Sequence, residues 1–184
     1  MVFIVSLKSL FSSRDALCGK NDKEFLKRFS FLWGKIYKLP VLSLRFFNVY
    51  GPRSRTSGTY GAVFGTFLAQ KLAGRPFTVV GDGKQTRDFT YVKDVVRALQ
   101  LAMKSDYHGI LNVGTGKAYT FNQTVEILNK NMGLALKPQH VPNPIKNYVQ
   151  HTLSDTAKAE KVLGFKARYN LEEGVKELLR FYVK

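Results

Sequence analysis

The spacing of apolar residues changes character along this chain. From about Asp22 the apolar positions recur at helical spacing, which predicts a helix that Pro40 ends. Beyond Pro40, short apolar runs of strand length alternate with longer stretches of helical period. We expect the apolar stripe of the first helix to face a core; it consists of Phe25, Phe29, Leu32, Trp33 and Ile36.

Three strands follow from this alternation, at 41–46, 77–80 and 110–113, each bounded by Gly or Pro or by polar residues. One helix is predicted at Val63–Leu72, closed by Gly74. The next helix has an apolar face that is expected to be buried: Val92, Val95, Val96, Leu99, Ala102 and Met103.

Helix starts are marked by residues that can accept a hydrogen bond from the first turn. Thr120 with Gln123 has the spacing of a capping box, and Ser154-Asp155 marks a second start. Asn170 with Glu173 marks a third, before a last helix that is expected to turn four side chains inward: Val175, Leu178, Leu179 and Tyr182. Strands separated by helices indicate an α/β fold with parallel pairing.

Composition and charge narrow the class of protein. The chain has 184 residues, 45% of them hydrophobic, which suits a globular domain, and its single cysteine, Cys18, favours a reducing, cytoplasmic setting. No apolar run is long enough for a membrane span, and a signal peptide is not expected. The net charge is +16, with 11 Lys/Arg against 3 Asp/Glu in residues 1–60. A solvated basic surface is the favoured interpretation, and a nucleic-acid patch is the alternative.

Two kinds of site are not expected. Dinucleotide binding needs a glycine-rich turn from a strand into a helix, and no G-x-G-x-x-G occurs; Gly114-Thr115-Gly116 indicates a plain turn. The histidines stand apart at His108, His140 and His151, so a metal site is not expected either.

Polar residues cluster where predicted strands end, which is the usual ligand edge of an α/β sheet. Residues 45–53 contain two arginines and an asparagine, and residues 81–92 place Arg87 beside aromatic residues. Guanidinium groups suit phosphate and aromatic rings suit a base or sugar, so this pattern favours a phosphorylated small ligand. The equally weighted alternative is that the arginines cap loops or pair with Asp82, Asp88 and Asp94.

Five motifs in order resemble the extended short-chain dehydrogenases/reductases, in particular UDP-glucose 4-epimerase-like enzymes and related dehydratases. Residues 47–53 read Phe-Asn-Val-Tyr-Gly-Pro-Arg, and residues 79–94 contain Val-Val-Gly-Asp-Gly and Gln-Thr-Arg-Asp-Phe-Thr-Tyr-Val-Lys-Asp. Later come Leu-Asn-Val-Gly at 111–114, Ser-Asp-Thr-Ala-Lys-Ala at 154–159 and Leu-Gly-Phe at 163–165. The resemblance covers residues 39–184, after a divergent, basic and helical N-terminal segment at 1–38. It implies a partial Rossmann-like, doubly wound sheet with a small α/β substrate-binding subdomain.

The resemblance also implies roles for matching residues. Asn48 and Arg87 would contact the diphosphate of a UDP-sugar, and Phe47 would lie beside the nicotinamide of NAD. Val63 and Val79 would line the uracil pocket. Tyr91, like Tyr50, is either a substrate contact or a core or hinge residue, and Asp94 is expected to cap the following helix.

The chain also departs from the family pattern. None of its nine tyrosines has lysine four residues later, so the catalytic Tyr-x-x-x-Lys pair is missing. Lys23 is the weak candidate for the lysine, with Gly19 where the tyrosine should be, and Ile145 replaces a late arginine, with Lys146 nearby.

The function that the resemblance implies is nucleotide-sugar binding within an NAD-dependent epimerase or dehydratase, with 4-epimerisation of a UDP-hexose as the favoured reaction and this chain alone inactive. Homo-oligomerisation or a complementary chain is a possible assembly, and no membrane partner is expected. The alternative function is a non-catalytic basic module for nucleic acid or another acidic partner.

Overall fold

The strands of the main sheet lie parallel, as the alternation of strands and helices predicts. The computed structural model describes residues 3–6, 20–54, 63–143 and 148–182. Strand β2 (Val41–Phe46) lies between β1 (Phe3–Ser6) and β7 (Gly109–Val113). Leu44 of β2 pairs with Ser6 on one side and Leu111 on the other, both in parallel register. The α/β class is therefore confirmed.

Helices α3 (Val92–Met103) and α5 (Ala157–Leu163) bury one face of this sheet. Strand β2 places alternate side chains, Leu42, Leu44 and Phe46, into that core because successive residues of a strand point to opposite faces. This layer fixes the carboxyl ends of β2 and β7 next to each other.

A second core is built from short elements. Helices α2 (Val63–Leu72), α4 (Phe121–Met132) and α6 (Leu171–Tyr182) surround a cluster rich in aromatic residues. Two strand pairs flank it in parallel, β3 (Val49–Tyr50) with β6 (Thr90–Tyr91) and β4 (Thr78–Val80) with β9 (Gln139–Val141). The pair β5 (Thr86–Arg87) and β8 (Tyr119–Thr120) is antiparallel, which differs from the parallel expectation.

The capping box predicted at Thr120 is present, and the helix start predicted at Asn170 has the same pair of bonds. Gln123 N donates to Thr120 Oγ1 at 3.0 Å while Gln123 Oε1 accepts from Thr120 N at 2.8 Å. Asn170 and Glu173 exchange the same two bonds at 2.9 Å each. These reciprocal bonds satisfy N–H groups that have no partner inside the helix.

The apolar stripe of the first helix does not face the core, which corrects the sequence prediction. Helix α1 (Lys20–Ile36) leaves its large apolar side chains 45–60% exposed at Phe29, Leu32, Trp33 and Ile36. The covered side of the helix carries Gly34, where an added Cβ would lie 2.4 Å from Val41 Cγ2. Close packing at a glycine, rather than at the aromatic residues, decides which side of α1 meets the sheet. The side chain of Phe25 lies outside the described residues.

Other expectations at the helix surfaces were also wrong. Val96 and Met103 of α3 are 49% and 69% exposed, and Tyr182 of α6 is 38% exposed. Helix α5 begins at Ala157, just after the predicted start at Ser154-Asp155: Asp155 Oδ1 accepts from Ala157 N at 3.0 Å, whereas Ser154 is buried and bonded to Asp88. Short side chains, mainly Ala98 and Ala102, form the buried face of α3 because the helix lies close to the sheet.

Asp94 does not cap helix α3. It lies in the first turn of α3, is buried, and accepts hydrogen bonds from the backbone N–H groups of Arg168 and Tyr169 at 3.0–3.1 Å. Its carboxylate therefore ties the segment before α6 to α3.

The segment 1–38, predicted as divergent, basic and helical, also contributes a strand to the sheet. Strand β1 and helix α1 both contact β2, and β1 was not foreseen from the sequence. The domain boundary between residues 38 and 39 stays a prediction. Cys18, Gly19, Ile145 and Lys146 lie outside the described residues.

Candidate functional site

The carboxyl ends of β2 and β7 meet at one edge of the sheet. Phe47 N extends the ladder by donating to Val113 O at 3.1 Å. The chain then turns at Asn48 on one strand and at Gly114 on the other. Strand β5 and the segment 148–154 lie against this edge, since Thr86 N donates to Gln150 O and Thr152 N donates to Thr86 O.

Asn48 is held in an unusual backbone conformation. Its φ is +32°, a region that few residues other than glycine adopt but that asparagine tolerates. Its Nδ2 group donates to Asp88 O at 2.8 Å and to Thr152 Oγ1 at 3.3 Å. Both N–H groups of the amide therefore donate to protein atoms. A hydrogen bond from this amide to a diphosphate would have to replace one of these two bonds.

Arg87 reaches the same segment from β5. Its guanidinium donates to the carbonyl oxygens of Thr86 at 2.7 Å, Gln150 at 2.9 Å and Val149 at 2.6 Å. It also lies over the rings of Tyr148 and Phe121, at 5.0 and 5.8 Å from their centroids. In this conformation Arg87 binds loop carbonyls, as one of the two sequence interpretations holds, and its aromatic neighbours fix the plane of the guanidinium.

Asp88 is the most heavily bonded residue of the edge. Its side chain has no exposed surface, and its oxygens accept from Thr115 N at 3.0 Å, Thr115 Oγ1 at 2.6 Å, Gly116 N at 3.0 Å and Ser154 N at 3.2 Å. Ser154 Oγ donates to it as well. A buried carboxylate needs such donors, because desolvation of a charge is otherwise costly.

The turn at Gly114–Gly116 is a plain structural turn, as predicted. Its N–H groups at Thr115 and Gly116 point at the Asp88 carboxylate. A Cβ at Gly114 would lie 2.1 Å from Ser154 Oγ, so the close packing requires glycine at this position. These N–H groups cannot also cradle a pyrophosphate.

The structure brings together only some of the predicted site residues. Phe47 and Arg87 are half-buried at the edge with Asn48, and Val63 is half-buried at the start of α2. Val79 and Tyr91 have 0% and 2% exposure and belong to the aromatic core, so they present no surface to a ligand in this conformation. The side chain of Lys23 lies outside the described residues.

Neither core tyrosine is suited to proton transfer. Burial raises the pKa of Tyr50 and that of Tyr91 above the ordinary value for tyrosine. Tyr50 donates to Leu171 O, and the Tyr91 ring packs 4.9 Å from that of Tyr169. They stabilise the fold as buried phenols.

Sequence reasoning missed the network around Asp88, Thr115 and Ser154. Asp88 entered the prediction only as a possible partner of an arginine, and no ion pair to it occurs among the described residues. Within the described ranges no group of three His, Cys, Asp or Glu side chains could share a metal ion, and none of the described helices has the length and hydropathy of a membrane span.

Comparison with known proteins relates this chain to sugar-nucleotide enzymes. A family model described as GDP-mannose 4,6 dehydratase matches residues 23–178. The UDP-glucuronate 4-epimerase of Thermodesulfobacterium geofontis is 33% identical over 153 residues, which cover 83% of this chain and 46% of that protein.

Two solved epimerases have the same fold. The UDP-glucose 4-epimerase of Thermotoga maritima, solved with UDP-glucose, aligns with a TM-score of 0.78 and 36% identity over 89% of this chain and 51% of its own. That of Thermus thermophilus, solved with NAD, aligns with a TM-score of 0.79 and 26% identity over 98% and 63%. The partial Rossmann-like fold and the resemblance to UDP-glucose 4-epimerase-like enzymes are confirmed. The chain spans about half the length of the epimerase relative and corresponds to the C-terminal part of the solved chains.

Proposed function

Because this chain belongs to the GDP-mannose 4,6-dehydratase family of extended short-chain dehydrogenases/reductases, we propose that it supplies the nucleotide-sugar-binding part of an NAD-dependent UDP-sugar 4-epimerase. The reaction class of the complete enzyme is oxidation of the sugar hydroxyl at C4 followed by return of the hydride to the other face. NAD supplies the hydride chemistry in such an enzyme.

The observation that supports this proposal is the convergence of Asn48 and Arg87 on one short segment. Asn48 bonds to Thr152, and Arg87 bonds to Val149 and Gln150. Asn48 follows β2 at the carboxyl edge of the parallel sheet, where ligands of open α/β sheets bind, and Arg87 of β5 is joined to the same segment next to it.

Arg87 is the residue proposed to bind the diphosphate. Three of its N–H groups hold loop carbonyls in this conformation, and a guanidinium has five to offer. A diphosphate oxygen is a stronger acceptor than a carbonyl oxygen because it is charged. Binding would therefore exchange a carbonyl contact for a charge-assisted bond and keep the ring contacts to Tyr148 and Phe121.

The described residues do not form a complete NAD site. The glycine turn after β7, at Gly114–Gly116, leads into β8, and its N–H groups are taken up by the Asp88 carboxylate. Phe47 is the proposed contact with the nicotinamide side of the cofactor, and it would exclude water from one wall. Binding of the rest of NAD is assigned to residues other than those described.

The experiment is calorimetric titration of UDP and UDP-glucose into three proteins: the unchanged chain, Arg87→Ala and Arg75→Ala. Arg75 is an exposed arginine before β4, so its replacement removes the same charge away from the proposed site. Loss of a charge-assisted contact of about 1.5–3 kcal/mol predicts a roughly 10- to 150-fold weaker Kd in Arg87→Ala alone.

Two results would count against the proposal. Equal UDP affinity in the Arg87→Ala and unchanged proteins would remove Arg87 from the site. A Kd that weakens steeply with salt and responds equally to Arg75→Ala would instead favour the basic binding module, since non-specific phosphate contacts are additive and salt-sensitive.

A further inference from the structure

The buried carboxylate of Asp88 connects three separate parts of the ligand edge. It bonds to the β7 turn through Thr115 and Gly116 and to the segment 148–154 through Ser154. Its own backbone carbonyl accepts from Asn48 Nδ2, and its N–H donates to Thr152 O at 3.1 Å. Asp88 is thus hydrogen-bonded to Asn48, to the β7 turn and to the segment 148–154, which Arg87 also contacts.

The bonds to Asp88 also affect Arg87, because the two residues are adjacent in the chain. Asp88 directly follows Arg87, the last residue of β5, so a displacement of the Asp88 backbone also displaces that of Arg87. The Asp88 side chain points into the protein, where it has no exposed surface, while Arg87 is half-buried at the edge. The hydrogen bonds that hold the Asp88 side chain therefore also fix the position of the Arg87 backbone.

The bonds to Asp88 also need a carboxylate rather than an amide. Three backbone N–H groups and two hydroxyl groups point at its two oxygens. An asparagine would offer one oxygen and two N–H groups, so at least one donor would face another donor. No lysine or arginine among the described residues lies within 4.0 Å of this carboxylate, so these donors, rather than an ion pair with one of them, stabilise its charge.

We infer that Asp88 is the positioning residue of the nucleotide-sugar site: its carboxylate joins the β7 turn to Ser154 and thereby holds Asn48 and Arg87 where they meet the substrate. The inference rests on the proposed function for the identity of the ligand. The placement of Asn48 and Arg87 by Asp88 is independent of it and can be measured without ligand.

The test compares Asp88→Asn with Val175→Ala, a control that shortens a fully buried side chain of α6. In the unliganded proteins, ¹⁵N NMR spectra report the Asn48 side-chain amide and the Arg87 Nε–H. Both signals are expected to move in Asp88→Asn and to stay in place in Val175→Ala, because general loss of stability does not displace them. UDP affinity, measured well below both melting temperatures, is expected to fall at least 10-fold in Asp88→Asn only.

Thr115→Val provides a second variant if Asp88→Asn does not fold. It removes one hydroxyl donor to Asp88 and keeps the side-chain volume. The same two NMR signals are expected to shift, by less. Unmoved signals in a folded variant, or equal shifts in Val175→Ala, would overturn the inference. Absence of UDP binding by the unchanged protein would contradict the proposed function, and the NMR comparison would still decide the role of Asp88.

Discussion

Asn48 donates from its side-chain amide to the backbone carbonyl of Asp88 at 2.8 Å, across forty positions of sequence. This bond joins the end of the central strand β2 to the segment that carries Arg87. The bonds from the Asn48 side chain to Asp88 and Thr152 also stabilise the strained backbone conformation of Asn48, whose φ is positive.

Replacing Asn48 tests this bond directly. Asn48→Ala loses two part-buried hydrogen bonds and keeps a positive φ that alanine disfavours, so we expect it to lower the free energy of unfolding by about 2–4 kcal/mol. Asn48→Gly loses the same bonds without the backbone penalty and should cost about 1 kcal/mol less than alanine. Urea denaturation of both variants measures the difference, and equal losses would show that the backbone at Asn48 is unstrained.

Gly114 offers a second test of the same edge. A Cβ there would meet Ser154 Oγ, Ser154 Cβ and Asp88 Oδ2 at 2.1–2.8 Å, all of them buried. Gly114→Ala should therefore destabilise the protein by about 2 kcal/mol or more, as overpacking does. Gly133→Ala is the control, since its φ is +63° with nothing within 4 Å, and should cost about 1 kcal/mol. Similar melting temperatures for the two variants would contradict the packing argument.

The exposed stripe of α1 leads to a prediction about stability. Trp33 is 45% exposed and stacks on Tyr37 with ring centroids 4.9 Å apart, whereas Phe77 has no exposed surface. Trp33→Ala should cost about 1 kcal/mol, while Phe77→Ala should cost about 3–5 kcal/mol. Chemical denaturation checks both. A loss at Trp33 as large as that at Phe77 would mean that the stripe is buried, as the helical spacing alone suggested.

The contrast between the sheet and α1 shows what the sequence could predict. The run 41–46 is buried at every position except Arg45, so its apolar composition alone identified a strand, and the capping box at Thr120 is a local pattern within four residues. Helical spacing, however, defines an apolar face without saying what covers it. Gly34 decides the packing of α1, and a single glycine carries no periodic signal.

The Asp88 network could not be predicted for a different reason. Its donors lie 27, 28 and 66 positions away, and three of the five are backbone N–H groups that every non-proline residue has. Arg87 was found because its side chain is chemically distinctive, although its partners are carbonyl groups that the sequence does not reveal. Strand β1 was missed because four residues, Phe3–Ser6, are too few to distinguish a strand from any other apolar segment.

The ion pair between Glu177 of α6 and Lys93 predicts that the stability of the protein depends on pH. Its carboxylate accepts from Lys93 Nζ at 2.7 Å, which lowers the pKa of Glu177 and raises the pKa of Lys93. A lowered carboxyl pKa stabilises the fold above about pH 4.3, and this contribution is lost as the pH falls through the folded-state value. A raised lysine pKa stabilises it below about pH 10.4, and this contribution is lost as the pH rises through the folded-state value.

We therefore expect the melting temperature of Glu177→Gln to lie below that of the unchanged protein between about pH 5 and pH 10. The difference should vanish at low pH, where the Glu177 carboxyl group is protonated, and should decrease without vanishing above about pH 10, because Arg180 also pairs with Glu177, at 2.6 Å, and stays charged. The difference should be small because both side chains meet solvent. Glu126→Gln is the matched control, an exposed glutamate of α4 that forms no ion pair with a described residue. A difference in melting temperature that stays constant across the pH range would show that the Glu177→Gln substitution acts through packing and not through the lost charge.

The last prediction is that this chain alone does not epimerise UDP-glucose. General acid–base catalysis typically contributes about 10²–10⁴-fold, and no tyrosine of the chain has the Tyr-x-x-x-Lys spacing that would provide it. Tyr50 and Tyr91 cannot replace it, since burial raises the pKa of each and neither has the lysine spacing. The hydride step also needs a bound dinucleotide, and the turn at Gly114–Gly116 is occupied by Asp88. Incubation of the purified chain with NAD and UDP-glucose should give no UDP-galactose above a no-enzyme control. Turnover by protein prepared in a host without its own epimerase would show that other residues of this chain perform the proton transfer.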